Sequence, residues 1–376
     1  MARVKTLERA AEVHKTGYYC YAACLRDILE YYGTKLSFDM TFGLLGGVSF
    51  YYARHDLQFP GFAPFMWFAG DPGIDPTENL CKALCVYHDT GIDADPDQGW
   101  ETVMRFINRG QPVMIDIVFN SQYVQYLNVP AFIKKNLASM QPTSVFERTA
   151  SGGQRCIVYG YDLDRDVALH IEPVIPAPNT IPIPVLKQLR SDTSCYFPPQ
   201  NRWSVFYVPS GPLPLRRAIR ESIRLTVSHM FNPPTFEPLS VTVGLPGLRA
   251  FCSEVGDWPA LYPDPLVRDS LQALYVVAWG IGRGQFRGFY AGFLTEAAAI
   301  LGEPRLVDIA GEYRRLAKLW ETLAKLALVS SRDPATGLTG QGPEDKARRR
   351  TLLDEVLEGE SAAMERLREV VAGERG

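Results

Sequence analysis

The chain reads as an α+β first part followed by a mainly helical second part. Short helix and strand patterns mix over residues 1–210, and the clearest pair of strand patterns is joined by a hairpin connection. That suits an antiparallel sheet better than a parallel doubly wound one. From Pro214 onward the apolar residues recur almost entirely at helical spacing. Two domains are therefore expected, residues 1–210 and 211–376.

Cys20–Tyr32 is predicted helical because Leu25, Ile28, Leu29 and Tyr32 share one face and Gly33 is a natural stop. A short turn of helix is expected at Ser37–Phe42, then the glycine turn Gly43-Leu44-Leu45-Gly46-Gly47. With no following Lys-Ser/Thr, that turn is either a tight corner or a place where backbone passes close to a substrate. Helices are predicted at Glu78–Tyr87 and Gly99–Asn108, and strands at Val113–Val118, Arg155–Tyr161, Asp166–Ile171 and Trp203–Val208. Asp162-Leu163-Asp164-Arg165 joins two of these as a hairpin. The Pro-rich segments Pro173–Pro184 and Pro198–Pro214 read as loop that could cover a cleft. Helices then follow at Leu215–Met230, Leu245–Val255, Leu266–Ile281, Phe286–Leu301 and Leu306–Leu328, with Gly302 and Pro304 closing one of them. Arg332–Gly342 is a connector, and Glu344–Val371 a last surface helix.

Composition narrows the function classes. With 376 residues and 46% hydrophobic content, the chain can bury two cores. A formal net charge of −3 gives no electrostatic case for nucleic acid or an anionic membrane. No apolar run is long enough to span a bilayer, and no secretory signal is expected. Seven cysteines, an odd number scattered over a long chain, fit reduced thiols and a cytoplasmic protein. Cys20/Cys24 and Cys81/Cys85 could each face one side of a helix. Zinc ligands usually come from tighter knuckles, so neither metal nor cofactor is expected.

Cys20 carries the chemical reading. In the first turn of a helix a thiol lies near unpaired N–H groups and the positive end of the macrodipole, both of which favour the thiolate. His14 lies six residues earlier, the spacing that in papain-like enzymes separates the nucleophile from a donor to the oxyanion. In those folds the base opens the strand that here begins at Gln154 or Arg155, and its orienting acid comes from the next strand, where Glu172 stands. No imidazole occupies the base position. Of the other histidines, His229 and His170 read as structural, and His55 and His88 as exposed.

Five segments in order resemble butirosin biosynthesis protein H and its relatives. They are Tyr19-Cys20-Tyr21-Ala22-Ala23-Cys24-Leu25-Arg26-Asp27-Ile28-Leu29, Phe42-Gly43-Leu44-Leu45-Gly46-Gly47-Val48-Ser49-Phe50, and Gly152-Gly153-Gln154-Arg155-Cys156-Ile157-Val158-Tyr159-Gly160-Tyr161-Asp162. Arg287-Gly288-Phe289-Tyr290-Ala291-Gly292-Phe293-Leu294-Thr295-Glu296-Ala297-Ala298 and the stretch Gly311 to Leu323 complete the set. The resemblance implies a papain-like N-terminal domain, a helical C-terminal domain, and an acyl group transferred as a thioester through Cys20. It puts the family's His on Gln154 or Arg155, its Asp on Glu172, and Tyr19 in place of a His often found before the Cys. Tyr19, Gly46, Gly47, Gln154 and Arg155 are then the expected substrate contacts, beside Cys20, His14 and Glu172 as the expected catalytic set.

Three functions follow. One is an acyltransferase or condensing enzyme of secondary metabolism, with an acyl carrier protein or other thioester donor and a small-molecule acceptor as partners. Another is a binding protein on the same scaffold with the chemistry lost. The third is a thiol-independent cyclase that uses a cleft between the domains. The helical domain would bind the carrier, shape the cleft or make a homodimer.

Overall fold

The computed structural model describes residues 2–54, 65–69, 75–131, 134, 154–193, 198–232, 241–338, 340 and 342–373; His55, Gly152 and Gly153 lie outside them. In chain order the elements begin with β1 (Val4–Thr6), α1 (Glu8–Glu12), α2 (Cys20–Tyr31), α3 (Phe38–Leu44), β2 (Val48–Ala53), β3 (Phe65–Ala69) and α4 (Pro76–Leu84). Next come β4 (Tyr87–Gly91), α5 (Pro96–Asn108), β5 (Val113–Ile117), α6 (Ser121–Val124), β6 (Gln154–Asp162), β7 (Val167–Ile171), β8 (Asn179–Pro182), α7 (Ile183–Ser191) and β9 (Trp203–Tyr207). The remainder is α8 (Leu215–Phe231), β10 (Val241–Val243), α9 (Gly244–Glu254), α10 (Trp258–Leu261), α11 (Asp264–Tyr275), a π-helical turn (Val276–Ile281), α12 (Arg287–Leu301), α13 (Arg305–Ser330) and α14 (Pro343–Ala372).

Contacts divide the chain into two compact units, residues 1–38 with 85–212, and residues 39–84 with 213–376. The division is not contiguous. A stretch of the sequence-defined first domain, residues 39–84, packs as part of the second unit.

The first unit is built on an antiparallel sheet in the order β4-β9-β5-β6-β7-β8, with β1 pairing onto the far end of β6. Its mixed α/β character and antiparallel pairing agree with the α+β expectation. β6 and β7 form the predicted hairpin, and Asp162 Oδ1 accepts the N–H groups of Asp164 and Arg165 to close its turn. The apolar residues of β5 and β6 are almost wholly buried, so both faces of the central strands are covered. Helix α2 is buried nearly all round from Ala22 to Glu30, which explains why its sequence carries Ala22, Ala23 and Cys24 beside Leu25 and Ile28.

Two expectations for this unit need correction. Tyr87 does not end a helix: Cys85 takes a left-handed φ of 56° that stops α4, and Tyr87 opens edge strand β4. Pro173–Pro184 is not all loop, because it contains β8 and the start of α7. Pro182 terminates the strand at the sheet edge, and Pro184 sits in the first turn of the helix, where no N–H is needed.

The second unit packs its helices with a three-stranded sheet, β10-β2-β3. Phe50 and Tyr52 of β2 meet Phe251, Trp258 and Trp320 in one aromatic core. Beside it, Arg287 Nε donates to Glu360 Oε1 at 2.6 Å with both side chains fully buried, and Trp320 Nε1 donates to the same oxygen at 3.0 Å. The predicted helices occur here within a few residues of their expected ends, and Gly302 closes α12 at φ 71°. The exception is Leu266–Ile281, whose last turn widens to a π-helix at Val276. Among the described residues no helix is long and apolar enough to cross a membrane.

Candidate active site around Cys20

The segment before α2 is fixed by charge and backbone pairing. Arg26, buried on α2, donates to Asp27 Oδ1 at 2.9 and 2.8 Å, to the Thr16 carbonyl at 3.3 Å and to the Lys15 carbonyl. Asp27 Oδ2 in turn lies 2.7 Å from His14 Nδ1, and His14 Nε2 lies 2.7 Å from the carbonyl of Ile175. Gly17 N–H donates to the Pro173 carbonyl at 2.8 Å. These bonds tie the approach to Cys20 to the loop that follows β7, and that loop starts with Glu172. Residues 14–17 thus set the start of α2 against the loop that carries Glu172.

Cys20 opens α2 after Tyr19, whose extended backbone caps the helix without a side-chain bond. The residue is partly exposed, yet burial pushes its thiol up to about 11. A backbone hydrogen bond at Arg155 and the Arg155 charge pull the other way, while Glu172 and Asp116 add to the rise. Burial thus opposes the resting thiolate expected from the helix start, and it is the largest of these influences. Cys24, one turn on, donates to the Arg155 carbonyl at 3.5 Å and is wholly buried.

Arg155 is held rather than free to wander. Its Nε lies 2.9 Å from Asp116 Oδ1, its guanidinium sits 4.0 Å over the Tyr21 ring, and Tyr21 stacks on Tyr19 at 5.5 Å. Strand register explains the pair, since Asp116 of β5 stands directly opposite Arg155 of β6.

Glu172 is fully buried. Gln154 Nε2 donates to its Oε1 at 2.6 Å, and the Tyr123 hydroxyl donates to its Oε2 at 2.9 Å. The same hydroxyl is 2.9 Å from Nε2 of His170, also fully buried. Burial raises Glu172 to about 7 despite hydrogen bonds from Tyr123, Gln154 and the Val174 backbone and the nearby charge of His14. Burial lowers His170 to about 3, so that ring is neutral.

Residues 19–171 match the family described as butirosin biosynthesis protein H, N-terminal, and residues 185–367 match a domain of unknown function, DUF4872. Over residues 19–171 the chain is similar to butirosin biosynthesis protein H. No curated protein matches it.

Within the butirosin biosynthesis protein H-like stretch, Cys20, Tyr19, Gln154 and Arg155 come together, and Glu172 joins them one residue past its end. His14 enters differently from its expected role. Both ring nitrogens already face acceptors, so neither is available to an oxyanion without breaking a buried bond, and its side chain is only 1% exposed. Gly46 and Gly47 belong to the second unit. There the Gly46 carbonyl accepts from Thr226 Oγ1 at 3.0 Å, and a Cβ on Gly47 would meet the Tyr290 ring at 2.6 Å. The glycine turn is thus a close-packed corner, one of the two readings its sequence allowed. His170, read as structural, is fully buried and part of the Glu172 network. Tyr123 and Asp116 were missed. A lone acid in the apolar strand Val113-Met114-Ile115-Asp116-Ile117 was a signal for the second; nothing local marks the first. Among the described residues no cluster of His, Cys, Asp or Glu is placed to hold a metal ion.

Proposed function

We propose that the chain is an acyl-transfer enzyme of secondary metabolism that takes an acyl group from a carrier-protein thioester onto Cys20 and passes it to an amine of a small-molecule acceptor. The observation that carries this reading is Cys20 as the first residue of α2, within the field of a buried carboxylate, Glu172, whose proton affinity sits near neutral pH. A group that changes protonation near the operating pH is the best general base. Glu172 then takes the role that an imidazole plays in papain-like sites, and the Gln154 amide at the expected base position orients it.

Glu172 takes the Cys20 proton as the sulfur attacks the thioester carbonyl carbon, and the positive end of the α2 dipole favours the developing oxyanion. The carbon–sulfur bond to the donor breaks, and the leaving carrier thiolate takes the proton from Glu172. An amine then attacks the acyl-cysteine; its proton passes to the Cys20 sulfur as that bond breaks. A thioester suits this site because its thiolate leaves easily, so a weaker base than an imidazole suffices. The family name, which refers to biosynthesis, supports the same class of role.

Intact mass spectrometry with an acyl carrier thioester tests the reading. A mass gain localised to Cys20, absent from Cys20→Ala, is expected; full activity of Cys20→Ala overturns it. A second reading, a binding protein on the same scaffold, draws support from the amide at the base position and from the protonated resting thiol. It expects ligand affinity with no acyl-cysteine at any pH.

A further inference from the structure

Tyr123 and His170 lie beside the site without a task in the acyl-transfer scheme. Tyr123 comes from α6 and is fully buried, its hydroxyl 2.9 Å from both Glu172 Oε2 and His170 Nε2. One hydroxyl proton serves two neighbours, so the bonds fix a direction. An ionised Glu172 can only accept, which makes Tyr123 the donor to it. His170 must then donate from Nε2 to the Tyr123 oxygen. Its Nδ1 has no partner among the described residues, which agrees with the proton residing on Nε2, since an unpaired lone pair costs less than an unpaired N–H.

We propose that Tyr123 is a positioning residue: its hydroxyl, aimed by the Nε2–H of neutral His170, holds Glu172 in the form that receives the Cys20 proton. This rests on the reading of Glu172 as the base. The groups facing Glu172 leave Tyr123 as the adjustable donor. His14 is committed to Asp27 and the Ile175 carbonyl, and Gln154 grips the other carboxylate oxygen. Cys20, Cys24 and Cys156 feel the Glu172 charge, but burial keeps all three protonated near neutral pH.

The test is the pH dependence of iodoacetamide labelling at Cys20, read by peptide mass, which needs no knowledge of the natural substrate. With Glu172 as base, the rate rises tenfold per pH unit below about 7 and then levels into a shoulder, because thiol plus carboxylate has the same proton count as thiolate plus carboxyl. Glu172→Gln abolishes the shoulder. Tyr123→Phe moves it to higher pH by about one unit and slows labelling at pH 7 severalfold, because a donor to the carboxylate is lost. His170→Gln, which keeps an N–H donor, retains the wild-type shoulder, whereas His170→Leu moves it as Tyr123→Phe does; this pair decides the matter should the Phe variant not fold. A shoulder unmoved by Tyr123→Phe or His170→Leu overturns the role of Tyr123 alone. A wild-type profile with no shoulder overturns Glu172 as base, and the Tyr123 role with it.

Discussion

Replacing Glu172 by Gln should stabilise the protein at alkaline pH while removing its proposed base. Glu172 is an acid whose folded pKa, about 7, lies above its ordinary 4.5. The fold therefore favours the protonated form: that stability is fully present below about 4.5 and is lost as pH rises through about 7. At 1.36 kcal/mol per pH unit the loss reaches about 3 kcal/mol above pH 7. His170 works in the opposite sense. Its folded pKa falls from 6.5 to about 3, so it costs the fold increasingly as pH drops below 6.5. In the wild type the two slopes oppose one another between about 6.5 and 4.5. A Gln at 172 can still accept from Tyr123 and, with the Gln154 amide turned over, donate to Gln154, and it has no charge to bury. Urea unfolding followed by Trp fluorescence at pH 8 and pH 5 gives the comparison. Relative to wild type, the variant should be about 3 kcal/mol more stable at pH 8 and only about 1 kcal/mol more stable at pH 5. Hydrogen-bond differences cancel between the two pH values, so the contrast of about 2–3 kcal/mol is what the reasoning requires. An equal difference at both pH values, or a variant weaker at pH 8 than at pH 5, refutes it.

The other perturbations test separate parts of the molecule. Arg155→Met takes from Asp116 its buried partner at 2.9 Å, leaving Arg202 at 3.5 Å, and should cost about 1–3 kcal/mol in denaturant unfolding. It should also slow Cys20 labelling, since the Arg155 charge lowers that thiol. Wild-type Cys20 itself should label slowly at pH 7 and reach full reactivity only towards pH 11, measured by peptide mass. Glu360→Gln takes the counter-charge from buried Arg287, which keeps its bonds to the Ser49 and Gln285 carbonyls, and should cost about 3 kcal/mol, read as a fall in the urea midpoint. Gly47→Ala forces a Cβ at φ 62° against the Tyr290 ring and Thr226 Oγ1, and should lower stability by about 2 kcal/mol in the same assay.

Much of the architecture was legible because its periodicities are strong. α2 shows its apolar spacing and its glycine stop, the β6–β7 hairpin its alternation and Asp-rich turn, and the late helices their repeated apolar faces. What escaped lacks a local signal. β4 is the polar string Tyr87-His88-Asp89-Thr90-Gly91, stabilised at the sheet edge by pairing with β9 rather than by any alternation of its own. β8 hides between prolines. The site divides in the same way. Cys20 announces itself by its place at a helix start, and Glu172 by its place after a strand that follows Gln154. Tyr123 joins them only through folding, from 49 residues away along the chain. Position alone also misjudged the thiol, because a helix start promises a positive field but says nothing of the desolvation around it.

That desolvation bears on the choice between catalysis and binding. A carboxylate raised to about 7 inside a protein costs the fold about 3 kcal/mol at alkaline pH, a large part of the roughly 5–15 kcal/mol that keeps a protein folded. Glutamine at position 172 would keep the contacts with Gln154 and Tyr123 without that cost. A scaffold that only holds a ligand gains nothing from retaining a proton acceptor sealed from solvent between Gln154 and Tyr123. A thiol held at about 11, by contrast, cannot attack at neutral pH unless something nearby removes its proton, and Glu172 is the buried acceptor whose charge it already senses. On the acyl-transfer reading the raised thiol and the raised carboxyl are complementary: each is a poor choice alone, and together they would let one proton move between them only when a substrate carbonyl draws the sulfur forward.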